Sequence, residues 1–173
     1  MSRHGLEEAK RAWRRGYAGL DQEEVDRRAI AFTALVRGIA EYGAVTADDW
    51  GRATGLEPTH AEEAFADLAT FGLERDGEGR IVGAALTANP TPHRVRFDSR
   101  RLYAWCALDT LFIPGLVGRS ATVESTCPTS GAPIRLTVTP EGVDVADPIG
   151  AVVSVVLPGV GGAGVTTGPA SPT

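Results

Sequence analysis

The chain has 173 residues, 43% of them hydrophobic and 23% charged, with a net charge of −5. That composition can bury a core without disulfides, excludes a disordered body, and leaves no surplus of positive charge with which the whole surface could grip nucleic acid. The start, MSRHGLEEAKRAWRRGY, holds no apolar run, and no stretch reaches the roughly 20 apolar residues that span a bilayer, so a cytoplasmic protein without a membrane partner is expected.

Residues 1–22 read as a helical extension, and residues 23–84 as a winged-helix-like unit. In EEVDRRAIAFTALVRGIA (23–40) the apolar positions Val25, Ala29, Phe32, Val36 and Ile39 mark one face of an amphipathic helix, with acidic residues at its start. Thr46 reads as the N-cap of a short helix closed by Gly55. Pro58 suits the first turn of a third helix with inner face Ala61, Phe65, Leu68 and Ala69, ended by Gly72. Two short extended runs then flank Asp76-Gly77-Glu78-Gly79, a hairpin signal.

Three helices followed by a hairpin is the order of a winged helix, which raises DNA binding as a function. The charge opposes it. Residues 41–80 carry ten acidic side chains against three Arg, and the would-be recognition helix holds Glu57, Glu62, Glu63 and Asp67. Phosphate contacts supply most of the affinity for DNA, so such a face repels it and no nucleic-acid partner is expected.

Residues 85–158 read as a second unit. LTANPTPHRVRFD (86–98) is a loop leading into a strand, with Pro90 and Pro92 fixing an extended entry. RRLYAWCALDTLFIPGLVG (100–118) reads as one apolar helix kinked or ended at Pro114-Gly115. ATVESTC, PIRLTVTP and AVVSVVLP read as strands, joined by turns at PTSGAP and PEG. Residues 159–173 form a Gly/Pro/Ser/Thr-rich stretch that reads as a disordered tail.

Two cysteines occur, Cys106 and Cys127. In a reducing compartment neither is expected in a disulfide. On a helix, Tyr103, Cys106 and Asp109 share one face, with Leu102 and Trp105 on the neighbouring stripe. A thiolate is a soft ligand and nucleophile, and an adjacent carboxyl can hold or deliver a proton. By spacing alone the favoured reading is the plainer one, with Cys106 a small core residue and Asp109 a solvated or capping residue. No phosphate loop, zinc-type cysteine pair or Ser-His-Asp arrangement is present in the sequence, and no cofactor is expected.

The string RRLYAWCALDTLFIPGLVGR, with NPTPHR upstream and C-x-x-S-G-A-P-I-x-L-T-V downstream, resembles the alkylmercury (organomercurial) lyases of bacterial mercury resistance. The resemblance is close over about residues 85–157. It implies an α+β fold, with a small mixed or antiparallel sheet domain of lyase type following the helical region. It also implies protonolysis of a carbon–mercury bond in a small-molecule substrate, without a dissociable cofactor. Cys106 matches the cysteine that captures mercury, a transient metal ligand, and Asp109 matches the aspartate that handles the proton. Cys127 matches a cysteine usually considered structural. Cys127, Tyr103 and His93 of NPTPHR are carried as candidate substrate-binding positions. The family's second catalytic cysteine lies beyond V-S-x-V-L-P, where this chain has its Gly-rich stretch. A shortened sheet domain with an exposed edge, able to pair with a second copy as a homodimer, is therefore expected. The alternative is a divergent relative that acts on another small substrate, or that binds a soft metal without turnover.

Overall fold

A computed structural model describes residues 21–70 and 72–153. Residues 1–20 of the expected helical extension and the expected tail from residue 159 lie outside the described residues. Among the described residues, four helices and eight strands follow in an α+β arrangement. Helix α1 (Gln22–Tyr42) starts because Asp21 caps it, its side chain accepting the Glu24 N–H at 2.8 Å. It ends at Gly43, whose φ of +82° permits the left-handed closing turn. Helix α2 (Ala47–Thr54) has the expected cap, Thr46 Oγ1 accepting from Asp49 N at 3.1 Å, and the expected stop at Gly55. Helix α3 spans Pro58–Thr70, beginning at the expected proline.

The buried stripes differ from the expected ones. On α1 the core takes Ala31, Leu35, Val36, Ile39 and Ala40, while Ala29 is exposed. Apolar residues ring this helix, so periodicity alone left its rotation open, and packing against α3, α4 and the sheet decided it. On α3, Ala64 is buried and Ala69 is exposed, so the inward row is 61, 64, 65 and 68.

The strands are β1 (Glu74–Arg75), β2 (Ile81–Ala84), β3 (Leu86–Thr87), β4 (His93–Phe97), β5 (Arg100–Ala104), β6 (Ala121–Thr126), β7 (Pro133–Thr139) and β8 (Gly142–Asp147). They form one sheet in the order β1-β2-β3-β5-β4-β6-β7-β8 with every pairing antiparallel, so the mixed option falls away. The hairpin turn is where expected, with Asp76 Oδ1 accepting from Glu78 N at 3.0 Å and Arg80 N at 2.9 Å. The sheet runs without a break from this hairpin into the later strands, and one hydrophobic cluster joins Leu35 and Trp50 of the helices to Val95, Leu102, Val123 and Val138 of the sheet.

Two sequence expectations are corrected here. Residues 100–118 are not a single helix. Arg100–Ala104 is strand β5, and only Asp109–Val117 is helical, as α4. Leu102 and Ala104 are buried while Arg101 is exposed, the alternation of a strand with one face on a core. The flanking apolar residues hid that short alternation in a longer helix-like run. Toward the C-terminus, Ala151–Val153 form no strand; the rest of AVVSVVLP lies outside the described residues. Among the described residues the last strand is β8, in GVDVAD, at the end of the strand order with Val143 and Val145 exposed.

Candidate active site at the β5–α4 junction

Strand β5 delivers the chain to four residues, 105–108, that belong to neither strand nor helix before α4 begins at Asp109. Both ends of this loop are anchored. The Thr91 hydroxyl donates to Ala104 O at 2.6 Å, and Trp105 N donates to Ala85 O at 2.8 Å. At the helical end, the buried Thr110 donates its hydroxyl to Ala107 O at 2.7 Å. Cys106 sits in the middle of the loop and is exposed.

Asp109 is the first residue of α4, and its carboxylate turns back to accept the Cys106 N–H through Oδ2 at 2.9 Å. This is the backward half of a capping interaction, so the acid is fixed on the residue that carries the thiol. Burial raises the Asp109 pKa, against smaller opposing effects from the hydrogen bonds of Cys106 and the charge of His93. The Cys106 thiol is also raised, first by burial and then by the Asp109 carboxylate; the backbone N–H groups of Asp109 and Leu108 pull it the other way. The junction therefore sets a carboxyl that holds a proton more tightly than an ordinary one next to a thiol that faces the amides of a helix start.

His93 completes the group. It pairs in register with Ala104, in line with the buried pair Val95 and Leu102, so strand alternation puts it at the end of the core-facing side. Its Nδ1 shares a 3.0 Å hydrogen bond with Ser125 Oγ on β6. Burial lowers the His93 pKa, while the charge of Asp109 raises it. The imidazole is thus neutral near pH 7 and close enough to Asp109 to sense its charge.

The structure brings Cys106, Asp109 and His93 together, but not by the route expected. Tyr103 lies on β5 opposite Thr87 and Arg94, on the sheet face away from Leu102 and Ala104. The helical spacing expected to stack it under Cys106 does not exist, because a strand separates successive side chains by about 180° and not 100°. Cys127 lies just past β6, its N–H donating to Ala132 O at 2.9 Å. Its thiol is held in its own turn, where first the Ser130 hydroxyl and then the Ser130 and Thr129 amides lower its pKa. It is not among the hydrogen-bonding or charged groups acting on Cys106. Among the described residues, no group of three or more His, Cys, Asp or Glu is placed to hold a metal ion.

Ser125 escaped sequence reading. ATVESTC shows alternation, and Ser125 shares parity with the buried Val123, but nothing local says that β6 lies beside β4. Glu74 and Asn89 escaped for the same reason; Asn89 and Trp105 both reach the Glu74 carboxylate only in the folded sheet.

Comparison with known proteins bears on this junction. Residues 86–167 match the family model described as alkylmercury lyase. The alkylmercury lyase of Streptomyces lividans is 45% identical over 124 residues, covering 72% of this chain and 57% of that protein. That of Bacillus cereus is 42% identical over 127 residues, 73% of this chain and 57% of that protein. That of Staphylococcus epidermidis is 41% identical over 138 residues, 80% of this chain and 63% of that protein. The chain thus spans roughly three fifths of the length of these relatives, between 57% and 63%. Among solved structures, the mercury-bound form of MerB2 superposes with a TM-score of 0.59 at 25% identity, covering 81% of this chain and 67% of that one. Among the described residues, no helix is long and apolar enough to cross a membrane.

Proposed function

We propose that the chain is a member of the alkylmercury lyase family, whose model matches residues 86–167, and that it cleaves the carbon–mercury bond of a small organomercurial by protonolysis at Cys106 and Asp109. The observation that carries this reading is the 2.9 Å hydrogen bond from Cys106 N to the half-buried Asp109 carboxylate, which sets an acid beside a thiol. Mercury is a soft metal, and thiolate sulfur is its preferred ligand. When Cys106 binds R–Hg⁺, the thiol proton leaves sulfur, and the adjacent Asp109 carboxylate takes it. Burial favours that protonated carboxyl. The proton then passes to the carbon as the Hg–C bond breaks, giving R–H, with Hg²⁺ on the Cys106 sulfur and Asp109 ionised again. Excess thiol removes the metal and resets the site.

His93 couples to the Asp109 charge and is held by Ser125. A neutral imidazole tied to Ser125 supports a role in orienting the carboxyl and the substrate. The acid-rich stretch between residues 41 and 80 supports a scaffold that does not engage nucleic acid. The pure chain, incubated with phenylmercury acetate and excess thiol, is expected to release benzene, and Cys106→Ser is expected to abolish the release. Mercury bound stoichiometrically without benzene would overturn the lyase reading. That outcome would favour a second reading, retention of a soft metal without turnover, for which the engagement of the Cys127 thiol by Ser130 and Thr129 in its own turn is the supporting observation.

A further inference from the structure

Glu74 is a half-buried residue of β1 paired in register with Gly83 of β2. Its carboxylate lies across that glycine: a Cβ at position 83 would come within 2.6 Å of Glu74 Oε2 and 2.7 Å of its Cδ. The absent side chain makes the space that the carboxylate occupies. Three neutral donors converge on it. Trp105 Nε1 donates to Oε1 at 2.6 Å, while Asn89 Nδ2 at 2.6 Å and the Thr87 hydroxyl at 2.5 Å donate to Oε2. These donors come from the β3 segment and from the loop residue that immediately precedes Cys106.

Hydrogen bonds to an ionised carboxylate are the stronger kind, and short ones fix orientation as well as position. Trp105 is therefore held twice, by its indole on Glu74 and by its backbone N–H on Ala85. Cys106 has no strand ladder of its own, so these tethers limit how far the loop can wander. A displacement of about 1 Å at reacting atoms can cost a factor of a hundred in rate.

We propose that Glu74 is a positioning residue for Cys106: through the Trp105 indole it fixes the 105–108 loop and so sets the thiol against Asp109. This deepens the lyase reading and rests on it for the meaning of the placement. Removing the carboxylate would leave the indole N–H without its acceptor and free the loop.

The test uses the full chain with Glu74→Ala, Trp105→Phe and the double variant. Benzene release from phenylmercury acetate is measured beside iodoacetamide alkylation of Cys106 at one fixed pH, followed by peptide mass spectrometry with Cys127 as internal control. Each single variant is expected to lower kcat by about tenfold to a hundredfold, the range of one charge-assisted hydrogen bond, with little change in KM. Cys106 alkylation should quicken several-fold while Cys127 alkylation stays constant. The double variant should be no worse than the worse single one, as two residues acting through one bond are non-additive. Gly83→Ala, which pushes the carboxylate aside, should reproduce the pattern. Unchanged kcat and unchanged Cys106 alkylation would overturn the proposal. So would parallel quickening of both cysteines, which marks general loosening of the fold. Should Glu74→Ala fail to fold, Trp105→Phe, which keeps the ring, decides alone. If the wild type releases no benzene, the lyase reading fails, and the alkylation arm still decides whether Glu74 positions Cys106.

Discussion

The Asp109 carboxylate accepts the Cys106 N–H at 2.9 Å across the turn from β5 into α4. An acid on another element would drift relative to the thiol with every breathing motion of the sheet. Here the acid is hydrogen-bonded to the thiol's own backbone, so the two move as one unit, and the helix start holds both. The same turn buries the carboxyl enough to raise its pKa, coupling its placement to its protonation.

Asp109→Asn keeps an oxygen for the Cys106 N–H and removes the proton. Product release is expected to fall by roughly a hundredfold to ten-thousandfold, the usual contribution of a positioned general acid. Mercury binding at Cys106 should persist. Headspace gas chromatography of the hydrocarbon and mercury stoichiometry on the same sample check both. A fully active Asn variant would assign the proton to another group.

Stability should follow the Asp109 titration with a definite sign. Its pKa is raised above the ordinary 3.8, so the folded chain holds this proton more tightly than the unfolded chain does. The stability it contributes is complete below the unfolded value and is lost as pH rises through the folded one. Asp109→Asn and wild type should therefore melt alike near about pH 3.5, with the variant ahead at neutral pH. Thermal denaturation across that range would contradict this if the variant were less stable at pH 7.

His93 should act in the opposite direction. Burial lowers its pKa below 6.5, so its contribution is present above that pH and is lost as pH falls through the folded value. Replacement by Gln should flatten the loss of melting temperature on acidification below about pH 6.5. Ser125→Ala, which removes the 3.0 Å partner of Nδ1, should lower activity more than stability. An unchanged pH–stability curve in His93→Gln would contradict the assigned burial.

Ala85 holds a φ of +62°, in the left-handed region, at a position that is 7% exposed. That conformation costs a residue with a Cβ roughly 1–2 kcal/mol. Ala85→Gly should therefore stabilise the chain by about 0.5–1 kcal/mol and raise the melting temperature by a few degrees, with activity retained. A lower melting temperature would mean that core contacts of the methyl group outweigh the backbone strain.

The two thiols should separate chemically. Ser130 and its neighbours lower the Cys127 pKa, and burial raises that of Cys106. Cys127 is expected to be alkylated first near neutral pH, and Ser130→Ala should slow it. Peptide mapping after brief exposure to iodoacetamide reads the order directly.

Local signals carried much of the fold. Asp21 and Thr46 as caps, Gly43 and Gly55 as stops, Pro58 as a start and Asp76-Gly77 as a turn all act through hydrogen bonds and dihedral limits within a few residues. Of these, the Thr46 cap, the Gly55 stop, the Pro58 start and the turn around Asp76 were legible in the sequence. The pairing of Cys106 with Asp109 was legible too, since both lie within one turn of chain, although the helix assumed beneath Cys106 is a strand and a loop. Tertiary structure alone decided the rest. It chose which stripe of α1 faces inward, because that helix is apolar on several sides and only its neighbours break the tie. Sheet register brought His93 to Ser125, 32 positions away, and Glu74 to Trp105, 31 positions away. Register is a property of paired strands and is written in no single strand, so the groups that surround the Cys106–Asp109 pair appear only once the chain is folded.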